Sequence, residues 1–112
     1  DLSSTTDVYL IVVGDALRGA QRIAKQLRDE GINVELDFTG RKIDKQLKTA
    51  VKKLIPYILI VGEDELKSEV YSLRNTLTRD EEKLSVERII SFVRDHRNVR
   101  NQRDDDFDLA SA

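Results

Sequence analysis

The chain has 112 residues, of which 39% are hydrophobic and 36% charged, with a formal net charge of −2. That length accommodates one domain with a modest core under a heavily charged surface. The lack of cysteine excludes disulfides, cysteine-built zinc sites and thiol catalysis, and no apolar run approaches the ~20 residues that span a bilayer. No signal peptide is visible, so a cytoplasmic protein is expected. Methionine is missing even at position 1, so the chain reads as a piece of a longer protein.

Residues 1–6 are short and polar and read as a linker stub. Val8 to Val13 is a continuous apolar run ending at Gly14, as in a strand buried on both faces. A helix follows. Asp15 is its expected cap, Ala20, Ile23, Ala24 and Leu27 its apolar stripe, and Gly31 its stop. Val34, Leu36 and Phe38 alternate with Glu35 and Asp37, which predicts a second strand. A second helix is expected from about Lys42 to Leu54, with Ile43, Leu47, Ala50, Val51 and Leu54 facing the core. Pro56 forbids its continuation. Tyr57 to Val61 is a third strand, ending at Gly62.

This β-α-β-α-β order implies parallel strands with right-handed crossovers. Residues 69–77 then alternate, with Tyr71, Leu73 and Leu77 on one face and Ser72, Arg74 and Thr76 on the other. The link from Gly62 leaves little room for a helical crossover, so this strand is expected to run antiparallel. Thr78 to Lys83 reads as a polar turn with room for a brief edge strand. Ser85 caps a last helix with Val86, Ile89, Ile90 and Val93 as its stripe, ending near Arg97. Residues 98–112 lack periodicity and are expected to be disordered. The expected fold class is α/β: a mixed sheet between helices in three layers, occupying residues 7–97.

Little points to catalysis. Gly14–Gly19 follows a strand and opens a helix, as a phosphate-binding turn does, but it has neither the G-x-G-x-x-G spacing nor a P-loop ending. Glycine at such a turn is commonly structural. The single histidine, His96, reads as a solvated residue near a helix end. Acidic clusters at 29–30, 63–65 and 80–82 have no histidine beside them, and no metal site is expected. No nucleophile, base and orienting group come together.

Binding signals are better. Residues 41–53 hold six basic side chains and one acid, a balance of +5 hidden by the net charge. Arg41, Lys45, Lys48 and Lys52 recur at i, i+4, i+7 and i+11, which stacks them on one helix face. Such a stripe can follow a phosphate backbone through counterion release, although a solvated amphipathic face looks the same. Glu63-Asp64-Glu65 lies past the third strand, at the carboxyl edge where open α/β sheets bind ligands. A carboxylate there can accept from unpaired bases, and Arg74 on the next strand can donate bidentately to guanine. The plain alternative is a salt bridge between Glu65 and Arg74. Phe38 ends a strand at the same edge. Core packing is its plain role, and base stacking its functional one. Tyr71 reads as core.

These motifs carry a resemblance. Leu27-Arg28-x-x-Gly31-Ile32-x-Val34, Gly40-Arg41-Lys42-Ile43-Asp44-Lys45-Gln46-Leu47-Lys48-x-Ala50 and Ile55-Pro56-Tyr57-Ile58-Leu59-Ile60-Val61-Gly62-Glu63-Asp64-Glu65 resemble the C-terminal anticodon-binding domain of class IIa aminoacyl-tRNA synthetases. The Gly-Arg-Lys…Lys-Gln-Leu-Lys segment looks most like the histidyl member. The likeness runs from about Asp7 to Arg97. It implies base reading by Glu65 and by Arg74, nine residues later, with Asn75 as a further candidate. It implies backbone contacts from Arg41, Lys42, Lys45, Lys48 and Lys52. The family's Ala-x-Lys-x-Gly-Ile-Pro segment has Leu54 in place of the glycine, which implies a differently formed helix end.

The resemblance also implies a homodimeric parent that ligates histidine to tRNA-His using ATP and magnesium. The catalytic motifs are absent from this chain, so it is expected to be non-catalytic, to hold no cofactor, and to bind tRNA rather than DNA or membrane. Two other readings stand beside this one. A synthetase-like regulatory or interaction module would lack catalytic motifs in its parent. A small nucleotide-binding α/β domain would use Gly14–Gly19 and be stabilised by nucleotides.

Overall fold

The computed structural model of the chain describes residues 5–97. The linker stub, apart from Thr5 and Thr6, and the acidic tail lie outside them. In chain order the elements are β1 (Val8–Val12), α1 (Leu17–Asp29), β2 (Val34–Asp37), α2 (Ile43–Lys52), β3 (Tyr57–Val61), α3 (Glu63–Ser68), β4 (Tyr71–Asn75) and β5 (Glu81–Leu84). A last helix, α4, covers residues 86–97.

The five strands form one sheet in the order β2-β1-β3-β4-β5. β1 pairs in parallel with β2 (Leu10 opposite Leu36) and with β3 (Leu10 opposite Leu59). β4 runs antiparallel to β3, with Arg74 opposite Ile58, and β5 antiparallel to β4, with Glu81 opposite Arg74. The antiparallel fourth strand is as expected. The link before it has no room for a crossover, as expected, but holds a short helix that the sequence reading did not name, α3, of six residues. That length is enough to reverse the chain at the carboxyl edge but too short for a crossover to a parallel strand.

Strand alternation divides the apolar residues between two cores. On one face Val8, Leu10, Tyr57, Leu59, Tyr71 and Leu73 pack under α1 and α4, through Ala20, Ile23, Ala24, Leu27, Ile89 and Val93. On the other face Tyr9, Ile11 and Ile58 pack with Ala50 and Ile55, under α2, the one helix on that face among the described residues. The three layers are therefore unequal, and a single ten-residue helix covers only part of the second face.

That inequality explains why the predicted apolar stripe of α2 is mostly not buried. Ala50 is buried, together with Gln46, but Ile43, Val51 and Leu54 are 40%, 50% and 57% exposed. Among the described residues, a groove separates the helix from β4, and its apolar flank overhangs that groove. Three smaller expectations are also corrected. Asp15 does not cap α1; Ala16 occupies that position without a side-chain hydrogen bond. Leu77 is exposed rather than on the Tyr71–Leu73 face. Alternation stops at Asn75, whose side-chain oxygen accepts from the Leu77 and Thr78 amides and turns the chain. Phe38 is 64% exposed and outside both cores, because β2 ends at Asp37.

Leu54 takes the left-handed conformation (φ 61) that a glycine would take there. The Leu54 and Ile55 amides donate to the carbonyls of Val51 and Ala50. The helix end thus keeps the geometry usual for glycine despite the substitution, and is not differently formed.

Candidate nucleic-acid interface

The part of the second face that α2 leaves open is where three of the charged candidates, Lys48, Lys52 and Arg74, meet. A groove of about 610 Å³ runs between α2 and β3–β4. Lys48 and Lys52 line it from the helix, Arg74 from β4, and Arg79 from the β4–β5 turn. Leu47, Val51 and Ile58 give it apolar walls. Arg74 takes part in no ion pair among the described residues, and its Nε is buried without a hydrogen-bond partner. A buried donor without an acceptor costs free energy, and it is the rest of the half-buried Arg74 side chain that lines the groove. Glu81, opposite Arg74 in register, accepts instead from the Ser72 hydroxyl.

Glu65 does not line this groove. It sits in a second depression with Ser72, Glu81 and Lys83. Its carboxylate folds back over Gly62, and its Oε1 lies 3.0 Å from where a side-chain β-carbon on Gly62 would sit. Arg74 and Glu65 line two separate depressions, and Ser72 and Glu81, which line the one with Glu65, are β4–β5 neighbours of Arg74. They form no salt bridge with each other.

The remaining candidates divide. Lys42 and Lys45 are exposed but do not line the groove. Arg41 is committed to structure. Its Nη2 lies 3.2 Å from Asp37 Oδ2, and it also donates to the Thr39 and Thr49 hydroxyls. Asn75 belongs to the opposite face, opposite Tyr57 in register, and its carboxamide oxygen holds the turn. Phe38 is solvent-facing at the carboxyl edge of β2. Reading the sequence missed Leu47, Val51, Thr76 and Arg79 as groove walls. The alternation of Ser72, Arg74 and Thr76 was the available signal for Thr76, whereas Arg79, in a left-handed turn position (φ 67), had none.

Among the described residues no group of three or more His, Asp or Glu side chains is arranged to hold a metal ion. Nor is any helix long and apolar enough to cross a membrane.

A mixed sheet carrying such a groove is the setting in which residues 7–96 match the family model described as the anticodon binding domain. The chain belongs to that family. Among curated relatives of this anticodon-binding domain, it is 41% identical over 93 residues to histidine–tRNA ligase 1 of a Bacillus cereus strain, an alignment covering 82% of the chain and 22% of that protein. It is 36% identical over 92 residues to histidine–tRNA ligase of Clostridium tetani, covering 82% and 21%. The chain thus spans about a fifth of these relatives' length. Histidyl-tRNA synthetase from Nostoc sp. PCC 7120 superposes with a TM-score of 0.79 at 22% identity, over 83% of this chain and 23% of that one. The RNA binding domain of threonyl-tRNA synthetase from Cryptosporidium parvum superposes with a TM-score of 0.77 at 20% identity, over 82% and 24%. At those identities the superpositions establish the fold.

Proposed function

We propose that the chain recognises the anticodon of tRNA-His as the C-terminal domain of a histidine–tRNA ligase. The observation that carries this reading is the unpaired Arg74 guanidinium in a groove rimmed by Lys48, Lys52 and Arg79. Lysines at the rim attract phosphates without regard to sequence. Arg74 supplies a fixed fork of donors at the depth where a splayed base edge would arrive, matching guanine O6 and N7. Val51 and Leu47 give the base an apolar surface. Glu65 reads a neighbouring base as an acceptor, and Phe38 stacks on another. Lys42 and Lys45 extend the cationic approach, Arg41 contributes through its remaining exposed donors, and Asn75 acts by shaping the turn that carries Arg79.

The ligase relatives named above support the histidyl assignment. On this reading ATP, magnesium, histidine and the dimer contacts belong to the rest of the parent protein, and this domain performs recognition alone.

The test is a titration of the chain with anticodon stem-loops, the GUG loop against scrambled loops, at low and moderate salt. Preference for GUG at both salts is expected. Salt-sensitive binding without preference would reduce the reading to a basic RNA-binding face. No preference in either this chain or the full-length parent would refute it.

A further inference from the structure

On the opposite face of the sheet, a separate cleft of about 280 Å³ lies between the β4–β5 turn and α4. Its aromatic wall comes from α4. Phe92 and His96, one helical turn apart, stack with ring centres 4.0 Å apart and planes 26° apart. Tyr57 meets Phe92 edge-on at 5.7 Å, and Leu73 completes the floor. The rim is acidic. Asp80 and Glu82 are two residues apart, with Glu82 opposite Leu73, so strand alternation puts both on the α4 side. Both are exposed, and neither forms an ion pair among the described residues. The nearby Arg94 and Arg97 are engaged elsewhere, with Glu30 and Asp7.

Phe92 covers one face of the exposed His96 ring, and the ring's other face, beside two unpaired carboxylates, favours a planar cation that can stack and donate at once. Guanidinium meets both conditions, whereas ammonium is compact and strongly hydrated. The cleft falls just below the range of about 300–1,000 Å³ filled by drug-sized ligands, so it suits one side chain rather than a cofactor. The carboxylates repel a phosphate backbone, which separates this cleft from the RNA groove on the other face. We propose that it is a docking site for an arginine side chain presented by a basic protein segment.

The test uses the whole chain and blocked pentapeptides Gly-Gly-Xaa-Gly-Gly, with arginine, lysine or glutamine at the centre. His96 is the single histidine, so its ring C–H signals in proton NMR are an isolated reporter on the aromatic wall. The arginine peptide is expected to shift them saturably, the lysine peptide to bind several-fold more weakly, and the glutamine peptide to leave them unmoved. Asp80→Asn with Glu82→Gln is expected to weaken arginine binding about tenfold. Both substituted side chains are exposed, and unchanged circular dichroism would verify the fold. The proposal is overturned if no saturable shift appears, if lysine or glutamine matches arginine, or if arginine binding survives the double substitution. None of these outcomes depends on RNA binding.

Discussion

The carboxylate of Asp37, 4% exposed, holds the guanidinium of Arg41 at 3.2 Å across the β2–α2 turn. It also accepts the Tyr9 hydroxyl at 2.5 Å and the Thr39 amide and hydroxyl at 3.0 and 2.7 Å. Burial alone would raise its pKa, but the donors from Tyr9 and Thr39 outweigh that and hold the group well below the usual carboxylate range. Tyr9, buried against the same carboxylate, is pushed up for the complementary reasons.

Acid sensitivity follows from Asp37. A carboxylate with a depressed folded-state pKa contributes stability above its unfolded value of about 3.9. That contribution is lost as pH falls from there through the folded pKa. Asp37→Asn is expected to cost about 1–3 kcal/mol near neutrality and to flatten the decline of stability below about pH 4. Urea denaturation at neutral and acid pH measures both. A variant with the parent's full acid slope would show that other groups set it.

Leu54→Gly is expected to stabilise the domain. A left-handed conformation costs a non-glycine residue about 1–2 kcal/mol, and Leu54 is 57% exposed, so little burial is lost with its side chain. Glycine's extra unfolded-state freedom takes back about 0.5–1 kcal/mol. With the buried part of the side chain also lost, the net gain is up to about 1 kcal/mol, a rise in Tm of up to ~8 °C. A lower Tm by calorimetry would mean that the Leu54 side chain contributes more than its backbone strain costs.

Phe38→Ala separates stacking from packing. The ring is 64% exposed, so the substitution is expected to change folding stability by less than about 0.5 kcal/mol. If the ring stacks on a base, RNA affinity falls by about 1–3 kcal/mol. Unchanged stem-loop affinity would remove Phe38 from the interface.

The layered fold was legible because its signals are local. The continuous runs of β1 and β3, the stripes of α1 and α4, and Pro56 each fix one element. What escaped depends on coverage. Whether Val51 is buried is decided by how much sheet α2 covers, and its own helical period gives no information about that. Phe38 continued the alternation of β2 but fell one residue past the strand's end. Of the candidate interface, Lys48, Lys52 and Arg74 could be picked out by residue type and spacing. The commitment of Arg41 to Asp37 depends on a turn geometry that a charge pattern does not encode.

That commitment makes the basic residues distinguishable by substitution. Lys48→Ala should weaken stem-loop binding evenly across sequences and lower the salt slope by about one charge's worth, ~0.7–0.9. Arg74→Ala should instead relax base preference, with about 1–3 kcal/mol lost for the preferred loop and little for scrambled ones. Arg41→Ala should register mainly in stability, because it removes a partner from buried Asp37. Titrations at several salt concentrations beside urea melts would sort the three. Equal losses for every loop in Arg74→Ala would reduce that arginine to one more cation at the groove.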